Sequence, residues 1–281
     1  MTHDPRLTPA RGDLAARHLQ GRVAADRFVA GETFEVRDPQ APLRRAPAPD
    51  APLETEALMG ERVMVYETSD EGWAWGQLES DGYVGYLPAN ALGRPGAAPT
   101  HKVAVVRTLV FPGPSIKLPP AAALPFGARV AITREDGALA VTAAGGFVPA
   151  RHLARLEARA DDAVAVAERF LGAPYLWGGK TGLGIDCSGL VQVALAACGI
   201  ACPRDSDMQE RAFPAATEPL RRGDLLFWKG HVAIARDAAS IIHANAFHMA
   251  VTIEPAADAV ARSRASGSEI TSVRRPAPGP Q

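Results

Sequence analysis

Cysteine is scarce in this chain of 281 residues, which carries only 3. An odd number that small builds no disulfide framework and leaves at least one free thiol, a usage that suits a reducing compartment. An excess of one charge is missing too: 30 Lys and Arg stand against 31 Asp and Glu, for a formal net charge of -1. The electrostatic footprint of a nucleic-acid or anionic-membrane partner is therefore not there. Long apolar runs are also lacking. The longest, "LVQVALAACGIAC", is too short to span a bilayer and contains Gln192 and Gly199. The opening "MTHDPRLTPARGDLAARHL" has no apolar core segment and carries acids and arginines throughout. It does not read as a secretory signal, so a cytoplasmic protein is expected. No obligate protein partner is expected.

What is present divides into blocks. Residues 1–45 are mixed, with an alanine-rich helical hint at 13–20 and a possible strand at "ETFEVRD". The prolines of "RRAPAPDAPLE" read as a lead-in. Residues 46–95 then alternate apolar and polar side chains, with turn signals at "SDEG" and "SDG". Short strands between tight turns predict a small antiparallel barrel. After "GRPGAAPT", residues 100–156 repeat that logic, and Val148-Pro149-Ala150 answers Leu87-Pro88-Ala89. Two small β modules follow from the repeat. From 161 the period changes. "DDAVAVAERFLG" is helical, with Asp161 or Asp162 as cap and Gly172 as stop, and a second helix is predicted over 187–198. Strands at "GDLLFW", "HVAIA" and "SIIHAN" make this block, 161–275, α+β.

The second helix presents Leu190, Val191, Ala194, Leu195 and Cys198 on one buried stripe, and Gly199 ends it. Cys198 thus reads as a small core residue. Cys187 reads differently. Its thiol lies in the first helical turn, where unpaired amides and the macrodipole favour the thiolate. The glycine-rich "PYLWGGKTGLGID" before it allows tight turns close to a ligand.

A base is available downstream. His231 opens "HVAIA" and His243 lies in "SIIHAN". Antiparallel pairing centred on Asp237 would set them opposite each other on one face, one taking the thiol proton and the other orienting the first. A lone histidine at a strand end is more often a satisfied polar residue, but two at this register favour the pair. A zinc site from Cys187, His231 and His243 is the rival, without a CxxC or HxxxH pair to support it.

The segments "PYLWGG", "DCSGLV", "RDSDMQ", "GDLLFWKGHVAI" and "IIHAN" together resemble the NlpC-type cell-wall cysteine peptidases. The resemblance covers residues 161 to about 255. It implies an α+β chain: a papain-like NlpC-type catalytic domain preceded by two SH3-like β-barrels. Cys187 is then the nucleophile, His231 the base and His243 the orienting residue, with no metal and no cofactor. The implied partner is a murein stem peptide, cut after γ-linked D-glutamate, usually before a diamino acid. Without an export signal and with two β modules, the chain is similar to the subgroup that recycles released muropeptides in the cytoplasm. In that subgroup a barrel closes one end of the cleft and selects a free N-terminal L-alanine.

For substrate binding the resemblance implies Tyr175, Asp186, Ser188 and Ser206, joined from the first barrel by Glu67 and by Tyr83 or Tyr86. Bland readings compete: an N-cap for Asp186, a helix-start hydroxyl for Ser188, packing for Tyr175, solvated surface for the barrel residues. Trp73, Trp75, Trp177 and Trp228 read as core or groove walls, and His101, His152 and His248 as structural. Two other functions stay open. One is a papain-like amidase acting on another acyl bond; the other is a catalytically idle protein that binds wall peptides.

Overall fold

The computed structural model describes residues 3–216 and 219–277. The chain folds as two compact units that meet in sequence between Leu156 and Glu157. No helix among the described residues is long and apolar enough to cross a membrane.

In the first unit the alanine-rich stretch is not an α-helix. Leu14–Ala16 is a short strand paired in parallel with Arg27–Val29, followed by one 3-10 turn at Arg17–Leu19. All three strand residues are fully buried, and tertiary burial overrides the high helical propensity of alanine. The first β module also begins earlier than expected. Strands Glu32–Val36 and Gln40–Arg44 join the same seven-stranded sheet as Leu53–Leu58 and Trp73–Leu78. The sheet thus takes in strands ahead of residue 46, because Val36, Ala41 and Leu43 bury their apolar faces in the core formed by Val63, Leu78 and Leu87.

Residues 100–156 form three small sheets in place of that single one, but repeat two of its backbone bonds. The Gly60 amide donates to Val36 O and that of Gly127 to Val103 O; likewise Arg37 donates to Ala91 O and Ala104 to His152 O. The Pro-Ala signature marks a shared device. Strands Val84–Pro88 and Phe147–Pro149 each run into a 3-10 turn, Ala89–Ala91 and Ala150–His152. Proline fixes the φ that begins such a turn, so the sequence echo has a geometric cause.

In the second unit α1 (Ala163–Glu168) is capped by Asp162, whose carboxylate accepts from the amides of Val164 and Ala165. Helix α2 is Cys187–Ala197, and two elements not predicted, α3 (Ser206–Ala212) and α4 (Ala256–Ala265), follow it. A five-stranded antiparallel sheet runs in the order Ala250–Pro255, Ser240–Asn245, His231–Ala235, Leu225–Trp228, Ile270–Arg274. Leu226, Trp228, Ala233, Ala235 and Ile241 form a core with Ala259 of α4.

Candidate active site

The start of α2 is held by a buried polar network. Asp186 caps the helix: Oδ1 accepts from the Gly189 amide at 2.6 Å and Oδ2 from the Gly178 amide at 2.8 Å. Arg204, 1% exposed, donates to both oxygens at 2.9 and 2.8 Å and to Ser188 Oγ at 3.0 Å. Gln209 of α3 donates to the carbonyls of Ser188 and Pro203, each at 2.9 Å. Gly189 has to be glycine, since a Cβ there would sit 2.4 Å from the Gly179 carbonyl oxygen. A bidentate guanidinium–carboxylate pair with its remaining valences met is the arrangement in which a buried charge survives. It fixes the first turn of α2, and with it Cys187.

Cys187 is 6% exposed. The expectation of a lowered thiol pKa does not hold here: burial first, and then the charge of Asp186, push the thiol up to about 12. The amides of Val232 and Ser188, and the Arg204 charge, pull the other way without prevailing. A helix-start dipole is a fraction of a charge, and here it works against desolvation and a capping carboxylate beside the sulfur. The resting nucleophile candidate is a neutral thiol. Val232, whose amide reaches the sulfur, is the residue after His231.

The histidines come together, but not in the register expected. Ile234 faces Ile242 and Ala235 faces Ile241, so the turn is centred on 238 and not on Asp237. Continued along the strands, this pairing puts Asn245 opposite His231 and leaves His243 on the diagonal. A two-residue slip preserves the face, and a diagonal pair is within reach of imidazoles. His231 Nε2 and His243 Nδ1 are 2.9 Å apart, and His243 Nε2 lies 2.7 Å from Glu254 Oε1. Burial, then the neighbouring His243, depress the His231 pKa to about 3; burial also lowers that of His243, against the pull of Glu254. The two rings bond to each other, unlike ligands that converge on one ion, and among the described residues no cluster has metal-ligand geometry. A buried thiol at a helix start, with a neutral imidazole pair following the amide that touches it, can carry nucleophilic acyl transfer.

Residues 43–92 match the bacterial dipeptidyl-peptidase Sh3 domain, and residues 172–268 match the NlpC/P60 family. Over 244 residues the chain is 30% identical to the γ-D-glutamyl-L-lysine dipeptidyl-peptidase of Bacillus cereus, covering 72% of this chain and 70% of that one. The chain belongs to the NlpC/P60 family. It is a hydrolase, a cysteine peptidase. The Bacillus subtilis protein of the same name is 29% identical over 228 residues, covering 73% of this chain and 75% of that one. A solved NlpC/P60 family protein from Bacillus cereus shares the fold, with a TM-score of 0.74 and 23% identity over 87% of this chain and 99% of that one.

Within this NlpC/P60 chain the other predicted residues divide. Tyr175 is half-buried, and burial, then the charges of Cys187 and Asp186, raise its hydroxyl pKa. Ser188 is buried within the Asp186–Arg204 network, and Ser206 opens α3. Asp186 is the cap of α2, and its carboxylate faces Arg204. In the first unit the predicted binding residues have partners of their own. Tyr83 is 2% exposed in the module's core with its hydroxyl donating to Glu54, so it is a packing residue. Glu67 is paired with both Arg11 and Arg27, and Arg11 also donates to the Tyr86 hydroxyl at 3.0 Å. The Glu67 carboxylate therefore already has two cations. Trp75 and Trp228 are buried and Trp177 is exposed. His152 pairs with Thr108, His101 with Thr100, and His248 with Asn245. Cys198 is only half-buried. Sequence reasoning passed over Arg204 and Gln209, although both stand in the quoted "RDSDMQ" stretch, and passed over Glu254 altogether.

Proposed function

We propose that this peptidase hydrolyses the γ-D-glutamyl–diamino acid bond of murein stem peptides that carry a free N-terminal L-alanine. Cys187 is the nucleophile, His231 the base and His243 its orienting partner. The observation that carries the reading is the Cys187, His231 and His243 arrangement in a chain similar along most of its length to γ-D-glutamyl-L-lysine dipeptidyl-peptidases. As the sulfur attacks the γ-carbonyl carbon, its proton passes to His231, and the Val232 and Ser188 amides stabilise the forming thiolate. His231 then gives that proton to the leaving amine, which leaves a thioester of the dipeptide on Cys187. Water, deprotonated by the same imidazole, attacks the thioester carbonyl and restores the thiol.

Tyr175, Ser188 and Ser206 line the binding side of this proposal. Asp186 would meet the substrate ammonium as a member of its network with Arg204. We place the enzyme in cytoplasmic peptide recycling, a reading supported by three cysteines of which none is in a disulfide, and read residues 100–156 as a second SH3-like module on its matching bonds.

The test is a steady-state comparison of L-alanyl-γ-D-glutamyl-L-lysine, its diaminopimelate counterpart and the N-acetylated forms. A charge-assisted contact to the ammonium is worth about 1.5–3 kcal/mol, so kcat/KM for acetylated peptide should fall about a hundredfold. Equal rates on free and acetylated peptide would end the dipeptidyl reading; binding without turnover would favour the idle wall-peptide-binding protein.

A further inference from the structure

His231, His243 and Glu254 form a diagonal row across three adjacent strands. Strand Ser240–Asn245 pairs with Ala250–Pro255 so that His243 faces Thr252 and Ile241 faces Glu254. Glu254 is therefore two positions from the point opposite His243, on the same face of the sheet. Its Oε1 is bonded to His243 Nε2 at 2.7 Å. Arg262 of α4 donates to both oxygens of the carboxylate, from Nη1 to Oε2 at 2.8 Å and from Nη2 to Oε1 at 2.5 Å. The Arg262 guanidinium carbon also lies 4.3 Å from the centre of the Phe247 ring. A planar guanidinium clamped by a carboxylate and an aromatic face has little freedom to turn away.

We propose that Glu254 is a positioning residue that sets the tautomers of both histidines, and so decides which nitrogen of His231 takes the Cys187 proton. The proposal rests on the assignment of Cys187 and His231 given above. An ionised carboxylate only accepts, so His243 Nε2 carries a proton and donates it. In a neutral imidazole this leaves the lone pair on Nδ1, which accepts from His231 Nε2 across 2.9 Å. The His231 proton is thereby fixed on Nε2, and its Nδ1 keeps the lone pair that can receive a proton. Without an acceptor at 254 the reversed chain of tautomers becomes available. In that state His231 Nδ1 is already protonated and cannot act as a base. Arg262 guards the arrangement. Burial disfavours the Glu254 charge, but the bonds from Arg262 and His243 outweigh it and hold the carboxyl below the usual carboxylate range.

Nitrogen-15 NMR of the full chain with labelled histidine reads the tautomers without any need for turnover, with His231→Asn and His243→Asn assigning the signals. The expected spectrum has a proton on Nε2 of both rings and a bare Nδ1 on His231. A bare Nε2 on His243, or a proton on His231 Nδ1, overturns the proposal. Kinetics of Glu254→Met, which leaves only a weak thioether acceptor, and of Glu254→Gln, which keeps one oxygen, supply the functional arm. In Glu254→Met kcat should fall about 10–100-fold, part of the range open to general base catalysis, with KM within about threefold of the parent. Glu254→Gln should recover part of the loss, in step with the fraction of His243 still protonated at Nε2. Loss of kcat with both tautomers unchanged also overturns the proposal. If the tautomers are as stated and Cys187→Ala still cuts peptide, the tautomer relay stands and the assignment of the nucleophile fails.

Discussion

Replacing Asp186 with Asn should remove a charge from α2 while keeping its cap, because Asn caps a helix about as well as Asp. What is lost is the counter-charge of Arg204. That guanidinium is 1% exposed, and two of its bonds, at 2.9 and 2.8 Å, end on Asp186. It also donates to Ser188 Oγ at 3.0 Å and to the Gly179 carbonyl at 3.2 Å, neither of them charged. Breaking one side of a buried pair typically costs about 3–5 kcal/mol, whereas replacing both partners by apolar groups costs far less. Asp186→Asn should therefore raise the opening constant of the α2 segment by roughly two to four orders of magnitude. Adding Arg204→Met should recover most of that loss. Hydrogen exchange of the Cys187–Ala197 peptide is the suitable assay, since a global melt of a chain with two units mixes their transitions. A loss below about 1 kcal/mol in Asp186→Asn, or a double variant as unstable as the sum of the singles, would refute the claim that this ion pair sets the helix start.

Two further outcomes follow from the same site. With its thiol pushed up to about 12, Cys187 should react with iodoacetamide no faster at pH 7 than half-buried Cys198 and Cys202, and its rate should still be climbing above pH 9; a plateau reached below pH 7, read by peptide mass spectrometry, would mean a preformed thiolate. The His231 pKa, about 3 in the fold against 6.5 unfolded, means that the unfolded chain takes up the proton first, so stability present above pH 6.5 is lost as the pH falls toward 3. Between pH 7 and pH 5 that amounts to about 2 kcal/mol, and exchange in the His231–Ala235 strand should lose this dependence in His231→Asn; equal dependence in both proteins would show that His231 is not buried neutral.

Much of the site can be read from the sequence because it lies on short periodic elements. The α2 boundaries follow from Asp186, the apolar stripe and Gly199, and parity alone puts His231 and His243 on one face. The register is a different matter. A two-residue slip leaves every side chain on its face, so alternation cannot tell a turn centred on 237 from one centred on 238. Arg204, Gln209, Glu254 and Arg262 escaped because each acts through a partner distant in sequence, and polar residues carry no periodic mark of burial. The thiol pKa was misjudged for a related reason. The helix dipole is visible in the pattern, whereas the desolvation that outweighs it depends on what packs around Cys187. The strand Gln40–Arg44 escaped because Pro42 interrupts its strand signal, although the sheet accommodates it.

The central claim is that Cys187 cuts the γ-D-glutamyl bond. Mass spectrometry of the products from L-alanyl-γ-D-glutamyl-L-lysine, with the parent chain and with Cys187→Ala side by side, tests it most directly. The parent should release L-alanyl-D-glutamate and free lysine, and the variant should leave the tripeptide intact. Free alanine as the first product, or the same dipeptide formed at the parent rate by Cys187→Ala, would contradict it.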